Sequence, residues 1–356
     1  MSEMKDMIVD VVERMLKEHV DKTAVDIMEK GKWSTSLWNL FVKNGITSVA
    51  ISEENGGAGG DLDDLLNIVR LTGKYAAPIP FSETTLANFL LERMNLHVIE
   101  GPAAYMLFIE QAYTLADGKI TGEAIHVPWA RHAQQFVTLA VDANNNTYLV
   151  ETDLSQASIT PSANLANEPR DMVEFQDAPV TQLSVPLSPD DLRMITTLET
   201  AFRLALMTGA IDKINDLTIQ HTKEREQFGR PIHRFQLVQQ HIVHLAGETA
   251  VTLAAFHNIA DALTRNVCSV EIAYARMRLE EAVQTVTAIS HQVHAAIGTT
   301  HEHSLHQYTR RLWAWRDEGT SVSHWADIVT AQLIKPDGDS LWAYLTDTKS
   351  AKDVNG

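Results

Sequence analysis

Arg225, Gln227, Phe228, Gly229 and Pro231 fall together in KEREQFGRPIHRFQLVQQ, a stretch that resumes at once with Phe235-Gln236. A core helix has no use for a Gly and a Pro so close together, because each interrupts backbone hydrogen bonding. The stretch therefore predicts a break between two helices at which something is held. Two acids are the other candidates. Glu199 stands four residues before Arg203 in TTLETAFRLALMTGAIDK, the spacing of an ion pair along one helix face. Glu318 opens Glu318-Gly319-Thr320 in RDEGTSVSHW, which also reads as a helix end, with Gly319 as C-terminal cap and Thr320 or Ser321 starting the next helix. Among 15 histidines, His294, His301, His303 and His306 cluster, and His301-x-His303 with His306 has the look of a metal set. Glu302 is nearby, but no cysteine or well-spaced second carboxylate completes it, so the reading is structural or surface, with no metal. Trp313, Trp315 and Trp325 read as packing residues.

These groups need elements to hold them, and the totals bound what those are. At 356 residues the chain has room for two or three domains, and 45% apolar with 21% charged residues describes an ordinary globular protein with ample core. A formal charge of −17 argues against binding a phosphate backbone through bulk electrostatics, so nucleic acid is not an expected partner. The single cysteine, Cys268, forbids an intrachain disulfide and fits a reducing compartment. MSEMKDMIVDVVERMLKEHV mixes charge and apolar residues at helical spacing and lacks the apolar run of a signal peptide or membrane span. A cytoplasmic protein without membrane association is expected.

Residues 1–102 predict a helical domain. Met7, Val11 and Met15, with Ile8 and Val12 less regularly, give one apolar stripe, and Leu65, Ile68, Val69 and Thr72 another. Between them GITSVAISEENGGAGGDLDD carries four glycines, and Asp61 can cap the helix that follows. Residues 103–187 turn to short alternating pieces such as QFVTLAV and NTYLVE, separated by Asp117-Gly118 and Asn144-Asn145-Asn146, which predicts a small β barrel or sandwich. Pro186 and Pro189 mark a linker and helix entry. Residues 188–340 return to long helices, a C-terminal four-helix bundle, and 341–356 read as a loose tail. The fold class is mainly α with an inserted β domain.

That order, with GITSVAISEENGGAGG, KEREQFGRPIHRFQLVQQ and QVHAAIGTTHEHSLHQYTRR in succession, resembles the acyl-CoA dehydrogenase family of flavoproteins over essentially the whole chain, with Ser52 in place of a usual proline. The resemblance implies FAD. Arg225 would offer a forked cation to its diphosphate, Gln227, Phe228 and Gln236 would contact the same half of the cofactor from a neighbouring subunit, and Gln292 and Ala296 would mark the second half of the site. The family pattern places paired glycines where this chain has Ala295-Ala296 before Gly298, and each alanine adds a methyl where backbone must approach closely. A Thr-Glu-Pro-like motif facing the flavin ring is absent, and His126 and Trp129 stand in that region as flavin neighbours or as turn and core residues of the β domain.

The resemblance also implies the chemistry: a carboxylate, its pKa raised by burial, takes the α proton of an acyl-CoA thioester while the β hydrogen leaves as hydride to flavin. Relatives place that carboxylate at one of two positions. Glu199 lies 26 residues before Arg225 with no gap needed, and the same count sets Gly209 where relatives pack helices closely. Glu318 needs a one-residue deletion relative to Gln292 and Arg310, so Glu199 is the expected base and Glu318 the reserve. The implied partners are an acyl-CoA, electron-transfer flavoprotein or a similar acceptor, and either further copies or a related subunit. A short chain with a half-kept flavin site resembles subunits of bacterial heterotetramers. The alternative is a non-catalytic or half-site subunit that completes a partner's FAD site.

Overall fold

The structure is a computed structural model that describes residues 3–264 and 269–334, so Cys268 and the expected tail at 341–356 lie outside the described residues. It opens with helices α1 (Glu3–His19), α2 (Lys22–Met28), α3 (Thr35–Lys43), α4 (Leu62–Lys74) and α5 (Phe81–Arg93). Asp61 caps α4 in a capping box with Asp64, satisfying two donors that the helix start leaves over. Leu65, Ile68, Val69 and Thr72 are all buried, as their spacing predicts. The stripe on α1 is different: Val12 and Leu16 are fully buried while Met7 is 62% exposed. The row that packs is thus Ile8, Val12 and Leu16, rotated from the expected Met7, Val11 and Met15. Two adjacent apolar rows on a 3.6-residue helix are equivalent until a neighbour, here α4, selects one.

Eight strands follow: β1 (Ala103–Met106), β2 (Tyr113–Ala116), β3 (Lys119–Pro128), β4 (Gln135–Val141), β5 (Thr147–Asp153), β6 (Ser158–Thr160), β7 (Arg170–Pro179) and β8 (Gln182–Leu183). They form one sheet in the order β6-β7-β3-β2-β4-β5-β8, with β1 also pairing β4 in parallel. Asp117 (φ +49°) and Gly118 (φ +71°) make the two-residue turn between β2 and β3, and Asn145 (φ +62°) turns β4 into β5. Positive φ at both central positions matches the twist of paired strands, which is why Asp-Gly serves there. The sheet surrounds its own core, where Tyr113, Phe136 and Phe175 meet with ring centroids 5.6–5.9 Å apart. A register shift between Ala124 and Val127 breaks the β3–β7 ladder near His126.

The chain then enters α6 (Pro189–Glu224) through a Ser188–Asp191 capping box with Pro189 in the first turn, and continues with α7 (Gln236–Thr264), α8 (Ser269–His294), α9 (Leu305–Asp317) and α10 (Val322–Leu333). Gly209 sets how α6 crosses the N-terminal helices. A Cβ there would stand 1.9 Å from the Arg70 carbonyl oxygen, and one on Gly73 would stand 2.2 Å from that of Leu206. The two helices touch backbone to backbone, and this contact fixes the face of α6 that carries Glu199 and Arg203.

Candidate active site

The start of α5, strand β1, the break in β3, helix α6 and the α9–α10 junction enclose a cavity of about 800 Å³. Met106, Phe108, Leu206, Trp313 and Trp315 give it apolar walls, whereas Glu83, Tyr105, Arg170, Arg203 and Glu318 give it an ionisable floor. Glu318 ends α9, followed by Gly319 at φ +81° and by Ser321 capping α10, so the segment is a helix end built as its sequence suggests. It also brings a carboxylate to the cavity. Glu318 accepts from Arg170 Nε at 3.0 Å and Nη2 at 2.9 Å, Arg203 Nη1 at 2.8 Å and Asn164 Nδ2 at 2.9 Å. Burial pushes its pKa up, but Arg170 and Arg203 outweigh that and hold the carboxyl below the usual range.

Glu199 sits beside it, 1% exposed. Its Oε1 accepts from the Arg203 guanidinium and, weakly at 3.5 Å, from Tyr105 Oη. The pair with Arg203 has the expected i, i+4 spacing, but it is buried rather than solvated. Oε2 is buried without a hydrogen-bond partner. Glu199 is not a lining residue; its partners Arg203 and Tyr105 are, and so is Gly319. A Cβ added to Gly319 would come 3.2 Å from Glu199 Oε2 and 2.9 Å from Arg203 Nε. Gly319 thus packs directly against the Glu199–Arg203 pair, between it and the cavity that Gly319 lines.

The stretch at 225–236 is a small hairpin rather than a plain break. Helix α6 stops at Glu224, β9 (Glu226–Gln227) pairs with β10 (Arg230–Pro231), and Phe228 (φ +53°) with Gly229 (φ +76°) makes the turn. Arg225, Gln227 and Gln236 are exposed, and Phe228 is 92% exposed. Arg230 lies 4.3 Å over the Phe235 ring, so its charge is engaged within the hairpin. No ion pair occupies Arg225 among the described residues. Gln292, Ala295 and Ala296 are also exposed, and Ala295 takes φ +54°, a left-handed backbone that glycine adopts without cost. An exposed guanidinium without an ion pair and an exposed aromatic on one hairpin offer the chemistry to hold an anionic, aromatic group, and a dinucleotide has that chemistry.

Other expected groups separate. His126 lines the cavity at φ +60°, whereas Trp129, 4% exposed, lines only a small neighbouring void of about 30 Å³. The histidine nitrogens that approach within 4.8 Å of one another are those of His221, His294 and His303, while His301 and His306 meet separately with ring centroids 5.2 Å apart. His221 and His294 stack at 4.4 Å, and His303 Nδ1 accepts from the Leu305 amide at 3.0 Å, which leaves the proton of the neutral ring on Nε2. Trp315 and Trp325 are buried, as expected of packing residues, while Trp313 borders the cavity and stacks on His291. Glu83, Tyr105, Asn164 and Arg170 were not legible as site residues, because their spacing follows no pattern and only the fold gathers them.

Two family models match: "Acyl-CoA dehydrogenase, N-terminal domain" over residues 2–92 and "Acyl-CoA dehydrogenase, C-terminal domain" over 194–330. The chain belongs to the acyl-CoA dehydrogenase family. Its relatives include acyl-CoA dehydrogenase IpdE2 of Mycobacterium tuberculosis, 29% identical over 87% of this chain and 91% of that protein. IpdE2 of Mycolicibacterium smegmatis is 27% identical over 87% of this chain and 93% of its own length. Among solved structures, a chain of the ChsE4-ChsE5 complex from Mycobacterium tuberculosis superposes with a TM-score of 0.84 at 18% identity, covering 95% of this chain and 99% of that one. The helical, β, helical order is thus that of the acyl-CoA dehydrogenase fold, and the enzyme class is an acyl-CoA oxidoreductase. Among the described residues no helix is long and apolar enough to cross a membrane.

Proposed function

We propose that the protein is an FAD-dependent acyl-CoA dehydrogenase that converts a CoA thioester to its 2,3-enoyl product and passes electrons to an external acceptor such as electron-transfer flavoprotein. The observation that carries this reading is the 225–236 hairpin, with its unpaired Arg225 and the outward Phe228. Arg225 would grip the diphosphate, Gln227, Phe228 and Gln236 would meet the adenine half, and Gln292 in the last turn of α8 with Ala296 just after it would complete the nucleotide contacts. Bound FAD would supply the hydride acceptor.

Glu199 is the proton acceptor in this reading. A base needs a vacant lone pair, and Glu199 Oε2 has no hydrogen-bond partner, while both oxygens of Glu318 already accept from guanidinium or amide donors. Oε2 is buried behind Gly319, so this reading requires the Gly319 segment to shift before a substrate α carbon in the cavity meets it. Arg203 then holds the Glu199 carboxylate in place through Oε1 and, by bonding Glu318 as well, keeps the second acid ionised and out of proton transfer.

A second reading, a half-site subunit that completes a partner's FAD site, is favoured by the alanine methyls at 295–296 and by the pinning of Glu318. The ChsE4-ChsE5 structure is of a complex of two different chains, which makes a heteromer a natural arrangement to test here. The protein is purified alone and after coexpression with a related acyl-CoA dehydrogenase subunit, and flavin absorbance and acyl-CoA-driven dye reduction are recorded. A yellow, active preparation from this chain alone supports the self-sufficient enzyme. Flavin and activity that appear only with the partner support the half-site subunit, and a preparation lacking both in every combination ends the FAD reading.

A further inference from the structure

The floor of the cavity has a feature that dehydrogenation chemistry leaves unused. Ser82 and Glu83, in the first turn of α5, both line the cavity while being only 6% and 8% exposed. Neither side chain hydrogen-bonds another residue's side chain among the described residues. Burial lifts the Glu83 carboxyl to about 7, with Arg170 opposing the rise, so near neutral pH it is protonated about half of the time. The ionisable groups acting on it are Arg170, Glu168 and Arg203. Here, then, are a hydroxyl and a carboxyl, mostly buried and offered from one helix turn, both bordering the space that an acyl group would fill.

An alkyl chain seated against them would strip away the remaining water and offer nothing in return. Leaving a buried polar group unpaired in a complex costs on the order of 1–3 kcal/mol, and sites built around such groups reject ligands that cannot pair with them. The charge count also narrows the ligand. Arg170 and Arg203 are already shared among Glu168, Glu199 and Glu318, so their charge is compensated, and only the buried Arg203 Nε lacks an acceptor. A neutral oxygen fits both facts, since protonated Glu83 and Ser82 donate to a carbonyl and ionised Glu83 accepts from a hydroxyl.

Resting on the acyl-CoA reading above, we propose that Ser82 and Glu83 form an oxygen-recognising subsite, and that the preferred acyl group carries a ring or chain carbonyl or hydroxyl rather than being a plain hydrocarbon. Glu83 is a specificity residue in this scheme and takes no part in proton abstraction.

The test is equilibrium binding of two non-oxidisable CoA thioethers to the flavin-loaded protein, with its partner subunit if flavin loading requires one. The probes are S-(cyclohexylmethyl)-CoA and S-[(4-oxocyclohexyl)methyl]-CoA. The wild type is expected to favour the oxo ligand by about 10-fold or more. Glu83→Gln, which still donates a hydrogen bond, keeps most of that preference, and Glu83→Leu with Ser82→Ala abolishes it. Should the double variant fail to fold, Ser82→Ala alone is expected to lower the preference severalfold. Equal affinity of the wild type for both thioethers overturns the subsite while leaving the acyl-CoA reading intact. Binding of neither overturns both, and a preference that no variant alters assigns the discrimination elsewhere.

Discussion

Arg203 Nη1 donates to Glu318 Oε2 at 2.8 Å, tying the middle of the long helix α6 to the end of α9. The same guanidinium holds Glu199 one turn earlier on its own helix. One cation therefore serves the two acids that compete for the role of base, and it serves them unequally. Both oxygens of Glu318 accept from Arg170, Arg203 or Asn164, whereas Glu199 retains Oε2 without a partner.

That asymmetry decides the first prediction. Glu199→Gln is expected to lower kcat by about 10²–10⁴-fold, the usual worth of a positioned general base, with flavin content unchanged. Glu318→Gln is expected to retain most of the turnover. Steady-state assays with an artificial electron acceptor distinguish the two, and the opposite ranking of the variants would transfer the role to Glu318.

Glu318 should instead matter for stability. Its pKa is held low in the folded state, so its contribution is fully present above the ordinary carboxylate pKa and is lost as pH falls through the folded value. Glu318→Gln weakens the charged hydrogen bonds from both guanidiniums, leaving Arg170 to Glu168 and Arg203 to Glu199, and is expected to cost about 2 kcal/mol at pH 7. Urea unfolding at pH 7 and near pH 4 checks it, and the gap between variant and wild type must narrow at the lower pH.

Glu83 behaves with the opposite sign. Its folded pKa of about 7 lies above the unfolded value of 4.5, so the folded state binds more protons between those limits and stability falls as pH rises across them. Glu83→Gln removes that penalty. Its gain over the wild type should grow from pH 4.5 to 7 and then level off at roughly 3 kcal/mol. Thermal melts at three pH values suffice, and a gain independent of pH would show that the carboxyl is ionised throughout.

Arg225→Ala should release FAD while leaving the far-ultraviolet circular dichroism unchanged, because the side chain is exposed and makes no ion pair among the described residues. The comparison is the flavin-to-protein absorbance ratio after gel filtration. Full retention of flavin by this variant would remove the cation from the cofactor site.

Gly209→Ala tests the crossing that orients α6. A Cβ at this position must displace the α4 backbone at Arg70, so a loss of about 1–3 kcal/mol is expected, whereas Gly247→Ala, with nothing within 4 Å, should be neutral or stabilising. Denaturant midpoints for the two variants should diverge in that order.

The amino-acid sequence alone carried the order of elements, because hydrophobic period, caps and turn residues are local properties. Asp61 caps the helix it precedes, Pro189 stands in the first turn of α6 and Asp117-Gly118 turns β2 into β3, all from residue type and spacing, while Gly209 at its backbone contact followed from the family resemblance. It also singled out the 225–236 stretch, since Gly and Pro within a helical pattern are visible without any partner. Only the tertiary structure decided which row of α1 packs, that the stretch closes as a hairpin around Phe228, and that His221 rather than His301 joins His294 and His303. The cavity floor belongs to the same class. Glu83, Arg170, Arg203 and Glu318 come from four distant segments, and neither their burial nor their pairing exists before the helices and the sheet close over them. Electrostatics at that floor depends on distance and desolvation, which are properties of the packed molecule and not of any stretch of chain.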